Sequence, residues 1–508
     1  MNRTIEMFLA ASSVVRQQLM AIARQSERVV LLGGVLLGLT ASGAIAFALA
    51  QYYAVDALSS LVNLPQDCDV DWGVHLGRHC FSDYPVTAGE GIRANPWEPG
   101  WLPAAGQNVP GDAASAAAAA EVRRSLVNNY PAAGLVPHTF IWRIGEWFGS
   151  PRLGLLLALL VLLIAVLTAA FWAARGARGL DRVVVFLACG AATFPALLVI
   201  DRGNSVGLAA PVLLVFLIAL CRRHWRLVAI MVVLAALVKP QFAVLAAVLF
   251  AARQWRFGAA AVAGVVLSNL AAYLLWPRDF PGTIVQSIST ILGSDSSYSF
   301  AEWSNVSFAN GLLAIPEAIA MAVTGHPIPD HVVDGPGRLV GYVVLVVVVA
   351  AVVALGRRIS PVMAGVALTA TAALFPAVTY RYYLVFVLPI AALVARDPDG
   401  PPGRGLFDGL AARADGRRAV GICVTLSTVL SIVWIALPHP QGQWLLRAQM
   451  GATGVVGTTT IVPTTALLAP LAWLITCGVI IVSYARRPVP HQFAVSDDLV
   501  GTEPPGRP

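Results

Sequence analysis

The chain has 508 residues, 57% of them hydrophobic and only 12% charged, with a mean hydropathy of +0.73. Soluble domains carry about a quarter charged residues, so this balance excludes an ordinary soluble globular protein. The net charge of +7 does not point to nucleic acid, because the arginines gather at the ends of apolar runs, as in the positive-inside pattern of membrane proteins.

Residues 1–28 set Ile5, Phe8, Leu9, Val15, Leu19 and Ile22 at helical spacing among arginines, which predicts a basic amphipathic helix on the cytoplasmic surface. Segment 29–50 is long enough to cross a bilayer. Its end imitates a signal-peptidase site, but the apolar run is too long for a signal peptide, so an uncleaved first span is expected. Further apolar segments follow at 152–174, 182–200, 205–221, 226–238, 241–252, 257–276, 338–356, 361–375, 383–395, 419–437 and 464–484, giving twelve in all. Every second connection carries arginine: Arg175 to Arg182, Arg222 to Arg226, Arg253 and Arg256, Arg357 and Arg358, Arg396 to Arg418, and Arg486 with Arg487. Twelve spans with both termini cytoplasmic put all of these inside. The expected architecture is an all-α polytopic membrane protein with a membrane domain over 29–484 and a cytoplasmic tail over 485–508. Its outer regions are 51–151, which includes an Ala-rich helix near 112–127, 277–337 and 438–463.

Segments 226–238 and 241–252 are too short for roughly 30 Å of hydrocarbon. Lys239-Pro240-Gln241 lies between them, and Pro240 disfavours helix at Lys239. A turn below the membrane surface is tolerated only against protein or a water-filled cavity, so Lys239 is expected to line a recess open to the outside.

Asp67-Cys68-Asp69-Val70-Asp71 follows the first span, and carboxylates so close to lipid indicate a cation site or a proton-abstracting base. A zinc site of Cys68, His75, His79 and Cys80 fits no standard ligand spacing. In a loop on the outer face, Cys68 and Cys80 are placed to form a disulfide. The other outer turns carry Asp201-Arg202-Gly203-Asn204, Lys239 with Gln241, Asn305-Val306-Ser307 and Tyr380-Arg381-Tyr382-Tyr383. Acids, cations, amides and tyrosines on one face suit a phosphate-bearing lipid and a hydroxyl-rich molecule.

In order and placement these segments resemble the GT-C superfamily of integral-membrane glycosyltransferases, and within it glycosyltransferase family 87. The resemblance rests on Asp71-Trp72-Gly73-Val74-His75 after the first span, with His in an aromatic position, then Tyr130-Pro131, Gly203-Asn204, Lys239-Pro240 and Asn305-Val306-Ser307, and it covers roughly 29–400. It implies a GT-C-type helical bundle in the plasma membrane with an extracytoplasmic active site. The implied reaction is inverting transfer of a sugar, mannose or else arabinofuranose, from a polyprenyl-phosphate donor to a cell-envelope glycolipid or polysaccharide. Under that reading Asp71 is the general base, with Asp69 next and Asp83 and Asp67 behind. Arg202, Lys239 and Arg381 hold the donor phosphate, and Asp201, Asn204, His75, Gln241, Asn305 and Tyr383 contact substrate. His79 and His138 are further hydrogen-bonding candidates. No cofactor is required, although a divalent cation is compatible. The competing classes are a transporter or lipid-linked saccharide flippase and a polysaccharide polymerase. Uneven loops and the absence of a second short hairpin count against the transporter.

Overall fold

The computed structural model describes residues 25–53, 81, 83–98, 128, 130–294, 305–325, 336–412, 418–446 and 455–486. Each of the twelve apolar segments contains helical chain, although 419–437 is helical only to Ile432. Among the described residues five helices are long and apolar enough to cross a membrane: Glu27–Ile45, Pro151–Ala174, Trp255–Tyr273, Pro336–Arg358 and Leu467–Ala485. A sixth candidate is the pair Gly179–Ala191 and Phe194–Arg202, bent by 47°. The bend falls where a π-helical turn, Leu187–Ala191, meets Pro195 in the first turn of the next helix. Gly190 permits the approach of the neighbouring helix there, since a Cβ on it would sit 2.5 Å from that of Ala170.

The remaining apolar helices have 10–17 residues: Ser205–Cys221, Trp225–Val238, Pro240–Ala251, Pro361–Leu374, Arg381–Ala395 and Arg418–Ile432. Their length follows from their place. Val362 to Leu374 and Val387 to Ala395 are buried without interruption, so protein rather than lipid surrounds their ends. The long helices lie outside them. Pro151–Ala174 leaves Leu156, Leu160 and Ile164 exposed, and the helix Leu339–Leu355 leaves Val343, Val346 and Val347 exposed, apolar stripes that only a bilayer accommodates.

The arginine-bearing connections meet at one end of the bundle. Arg28 binds both oxygens of Asp181 at 2.8 and 2.7 Å, Arg222 pairs with Asp399 at 2.9 Å, and Arg418 pairs with Glu27 at 2.8 Å. The other end gathers the turns near 83, 203, 239 and 381.

The outer regions hold more regular structure than expected. Helices Asp83–Gly91 and Ala132–Trp147 occupy the first, and Gly282–Ser294 and Phe308–Thr324 the second. An aromatic cluster of Trp97, Tyr130, Tyr273 and Trp276 ties the first to the helix Trp255–Tyr273, with Trp97 Nε1 donating to the Tyr130 carbonyl and Trp276 Nε1 to that of Gly91. The described chain is predominantly α-helical, as expected. Ala436–Leu446 and Val455–Pro463 form an antiparallel strand pair in the third outer region. The β-branched run from Val455 to Val462 favours strand over helix. The expected amphipathic helix over 1–28, apart from its last residues, the Ala-rich helix near 112–127 and the tail beyond Arg486 lie outside the described residues.

Candidate active site

Three turns at the end opposite the arginine-bearing connections share one backbone device. Asn204, Lys239 and Tyr380 are each extended, and each is followed by a 3-10 helix: Ser205–Leu208, Pro240–Ala246 and Arg381–Phe386. An extended residue followed by a narrow turn starts each short helix within the bundle and points its polar side chains inward. At Lys239 the cause is Pro240, which excludes the helical region for the residue before it. At Asn204 the side chain accepts from the Val206 amide at 2.9 Å, capping the turn. Gly203 precedes it at φ +66°, ending the helix Phe194–Arg202 in the left-handed region.

Asp83, at the start of its short helix, stands at the centre. Arg202 Nη2 donates to its Oδ1 at 2.8 Å, and Asn204 Nδ2 to its Oδ2 at 2.7 Å. The same Asn204 nitrogen lies 3.2 Å from the Tyr130 hydroxyl. Lys239, buried, sets Nζ 3.5 Å from the centroid of the Tyr130 ring and 5.6 Å from that of Tyr383. The Arg202 guanidinium lies 5.9 Å from the Tyr382 ring, and Tyr382 stacks with both Tyr380 and Tyr383. Arg381 is buried, 5.6 Å from each of the Phe194 and Trp434 rings. Aromatic faces thus hold the cations, tyrosines at Lys239 and Arg202 and Phe194 with Trp434 at Arg381. Burial pushes the Asp83 carboxyl up to about 6, with Asn204 and Lys239 pulling the other way.

Of the residues expected to bind substrate, Asp201 and Asn204 are buried in the same turn, and Gln241 has its Nε2 buried with no hydrogen-bond partner among the described residues. Tyr383 faces Lys239. Asn305 is placed differently from expectation. Its Oδ1 accepts from the amides of Ser307 and Thr379, both at 3.0 Å, and its Nδ2 donates to the Ala377 carbonyl, also at 3.0 Å. It bridges backbone to Tyr380 as well, and so braces the tyrosine turn. His138 lies with Nε2 3.4 Å from the Gly203 carbonyl. Asp67, Asp69, Asp71, His75, His79, Cys68 and Cys80, and with them the disulfide and the expected base, lie outside the described residues. Asp83 ranked low in the sequence because a loop with four aspartates gives no local signal that one of them meets residues 119 and 121 positions away. No three His, Cys, Asp or Glu side chains cluster as a metal site among the described residues.

No family model, no curated protein and no solved structure matches this chain.

Proposed function

We propose that this protein is a GT-C-like membrane glycosyltransferase that moves a sugar from a polyprenyl-phosphate donor to an acceptor hydroxyl at the extracytoplasmic face. The observation that carries the reading is the meeting of a half-buried carboxylate, Asp83, with Arg202 and Lys239 at one end of an apolar helical bundle, with Arg381 buried in the neighbouring turn. A phosphate ester with a lipid tail needs buried cations beside an apolar surface, and an attacking hydroxyl needs a base. The twelve helical segments are then twelve spans or re-entrant pieces of a GT-C-type bundle in the plasma membrane, with both termini in the cytoplasm. The acceptor is a cell-envelope glycolipid or polysaccharide, and the sugar is mannose or arabinofuranose.

In this mechanism the Asp83 carboxylate takes the proton of the acceptor hydroxyl as its oxygen bonds to the anomeric carbon. The bond from that carbon to the phosphate oxygen breaks on the opposite face, inverting the configuration. The leaving lipid phosphate carries away the electron pair, and Lys239 and Arg202 neutralise its growing charge. Asp83 thereby takes the role expected of Asp71. These residues serve the chemistry without a metal, since a monophosphate leaving group is within the reach of Lys and Arg.

The test compares Asp83→Asn with Asp71→Asn, using a synthetic polyprenyl-phosphate sugar and purified protein in detergent without any ion gradient. Asp83→Asn is expected to lower turnover by about 10²–10⁴-fold with donor binding largely kept. Wild-type turnover in Asp83→Asn together with loss in Asp71→Asn would return the base to Asp71. No transfer by the wild type from either sugar donor would sink the reading.

A further inference from the structure

The opposite end of the bundle holds a second site-like feature, independent of the transfer reaction. A cavity of about 460 Å³ opens among the connections 222–225, 251–255 and 356–361. Its wall combines Arg223 and Arg357 with Trp225, Gln254, Val248 and Pro361. The two arginines come from different turns, more than a hundred residues apart in the chain, and neither forms an ion pair with a described residue. Their neighbour Arg222 is, in contrast, neutralised by Asp399 at 2.9 Å. Among the described residues no carboxylate lines the cavity. Asp397 lines the adjoining hollow, where its Oδ1 accepts the Asp399 amide at 3.1 Å.

Elsewhere at this end Arg28 is matched to Asp181 and Arg418 to Glu27, while half-buried Arg396 donates to the Trp172 carbonyl. Arg223 and Arg357 are exposed, and two guanidinium groups on one concave wall offer a phosphate paired charge-assisted donors. The rest of the wall is apolar or aromatic, from Trp225 and Val248 to Ala364. The helices Trp225–Val238 and Pro361–Leu374 both begin at this wall, and their N-terminal ends add partial charge of the same sign. A soluble anion has no use for the apolar part, whereas a lipid places a phosphate at the arginines and its chains along the bundle.

We propose that this cavity is a binding site for the phosphate of an anionic phospholipid on the arginine-rich side of the membrane, held by Arg223 and Arg357 together. The shared chemistry is an anionic phosphate ester, and the lipid source is distinguished from a soluble one by experiment. The full chain is reconstituted in nanodiscs of phosphatidylcholine with phosphatidylglycerol, and lipids retained after release are counted by native mass spectrometry. The variant is Arg223→Gln with Arg357→Gln. The control is Arg178→Gln with Arg182→Gln, which removes the same charge from exposed positions on the same side, outside the cavity. The wild type is expected to retain phosphatidylglycerol in preference to phosphatidylcholine. The cavity variant should lose about thirtyfold in that retention while the control stays within about twofold of wild type. A parallel arm uses phosphatidylcholine nanodiscs with millimolar glycerol phosphate, where no bound phosphate is expected. Equal losses in the two double variants would reduce the effect to surface charge and overturn the proposal. So would retention of phosphatidylcholine as well as phosphatidylglycerol, or uptake of glycerol phosphate equal to that of the lipid. Single substitutions at Arg223 and Arg357 serve the same comparison if the double variant is recovered poorly.

Discussion

Two hydrogen bonds to one carboxylate, Arg202 to Oδ1 and Asn204 to Oδ2 of Asp83, tie that acid to the bundle. Arginine, lysine and asparagine in the outer turns were legible from residue type and topology, because charge near a membrane is rare enough to stand out. That Asp83 meets Arg202 and Asn204 was not, since these partners are distant in sequence. With the Asp83 carboxyl at about 6, its basic form is scarce below that pH, so transfer should fall off below about pH 6 and level off above. The same shift leaves the folded chain holding a proton that the unfolded chain has lost, so the group's contribution to stability declines as pH climbs from about 4 to about 6. A pH–rate profile that stays flat down to pH 5 would remove Asp83 from the base role. Glu90 behaves differently: burial pushes it up to about 8, against Arg93, so it is neutral at pH 7. Glu90→Gln should therefore keep turnover within about threefold and leave the melting temperature nearly unchanged. At Tyr130 the ring and the hydroxyl separate cleanly. Tyr130→Phe removes only the contact to Asn204, whereas Tyr130→Leu also removes the face under Lys239, which is worth about 2 kcal/mol when desolvated. Donor affinity measured by titration should fall several-fold more in the second variant than in the first.

At the scale of elements, the short helices carry the lesson. Segment lengths and Pro240 revealed a hairpin too short to cross, but the repetition of the device at Asn204 and Tyr380 has no proline to announce it. There the turn is set by side-chain capping at Asn204 and by the bracing amide of Asn305 behind Tyr380. Gly203 is the strictest position, with φ +66° and a prospective Cβ 3.0 Å from that of Tyr84. Gly203→Ala should cost about 1–3 kcal/mol through left-handed strain and crowding, read as a lower melting temperature in detergent, and should weaken turnover by shifting Asn204. An unchanged melting temperature would mean that the turn relaxes freely. The strand pair Ala436–Leu446 with Val455–Pro463 was missed because the reading followed apolar length and passed over the β-branched run between two membrane segments.

For the whole molecule, the separation of two ends has a direct consequence. In a version lacking native cysteines, Asp279→Cys beside the outer helices and Asp399→Cys in the arginine-rich connection should label oppositely with an impermeant maleimide on intact cells, the first reacting and the second protected. Labelling of both, or of neither, would contradict the alternation of the spans. By itself the sequence determined that the chain is a membrane protein, where its apolar helices run and which turns share a face. Those properties depend on composition, on run length and on the side to which arginine is confined, and all three are local along the chain. Only the tertiary structure decided that the short helices are central and the long ones peripheral, that Asp83 joins Arg202, Asn204 and Lys239, and that Arg223 meets Arg357. Each of these depends on residues far apart in sequence, brought together because burying the apolar faces leaves few places where their polar ends can lie.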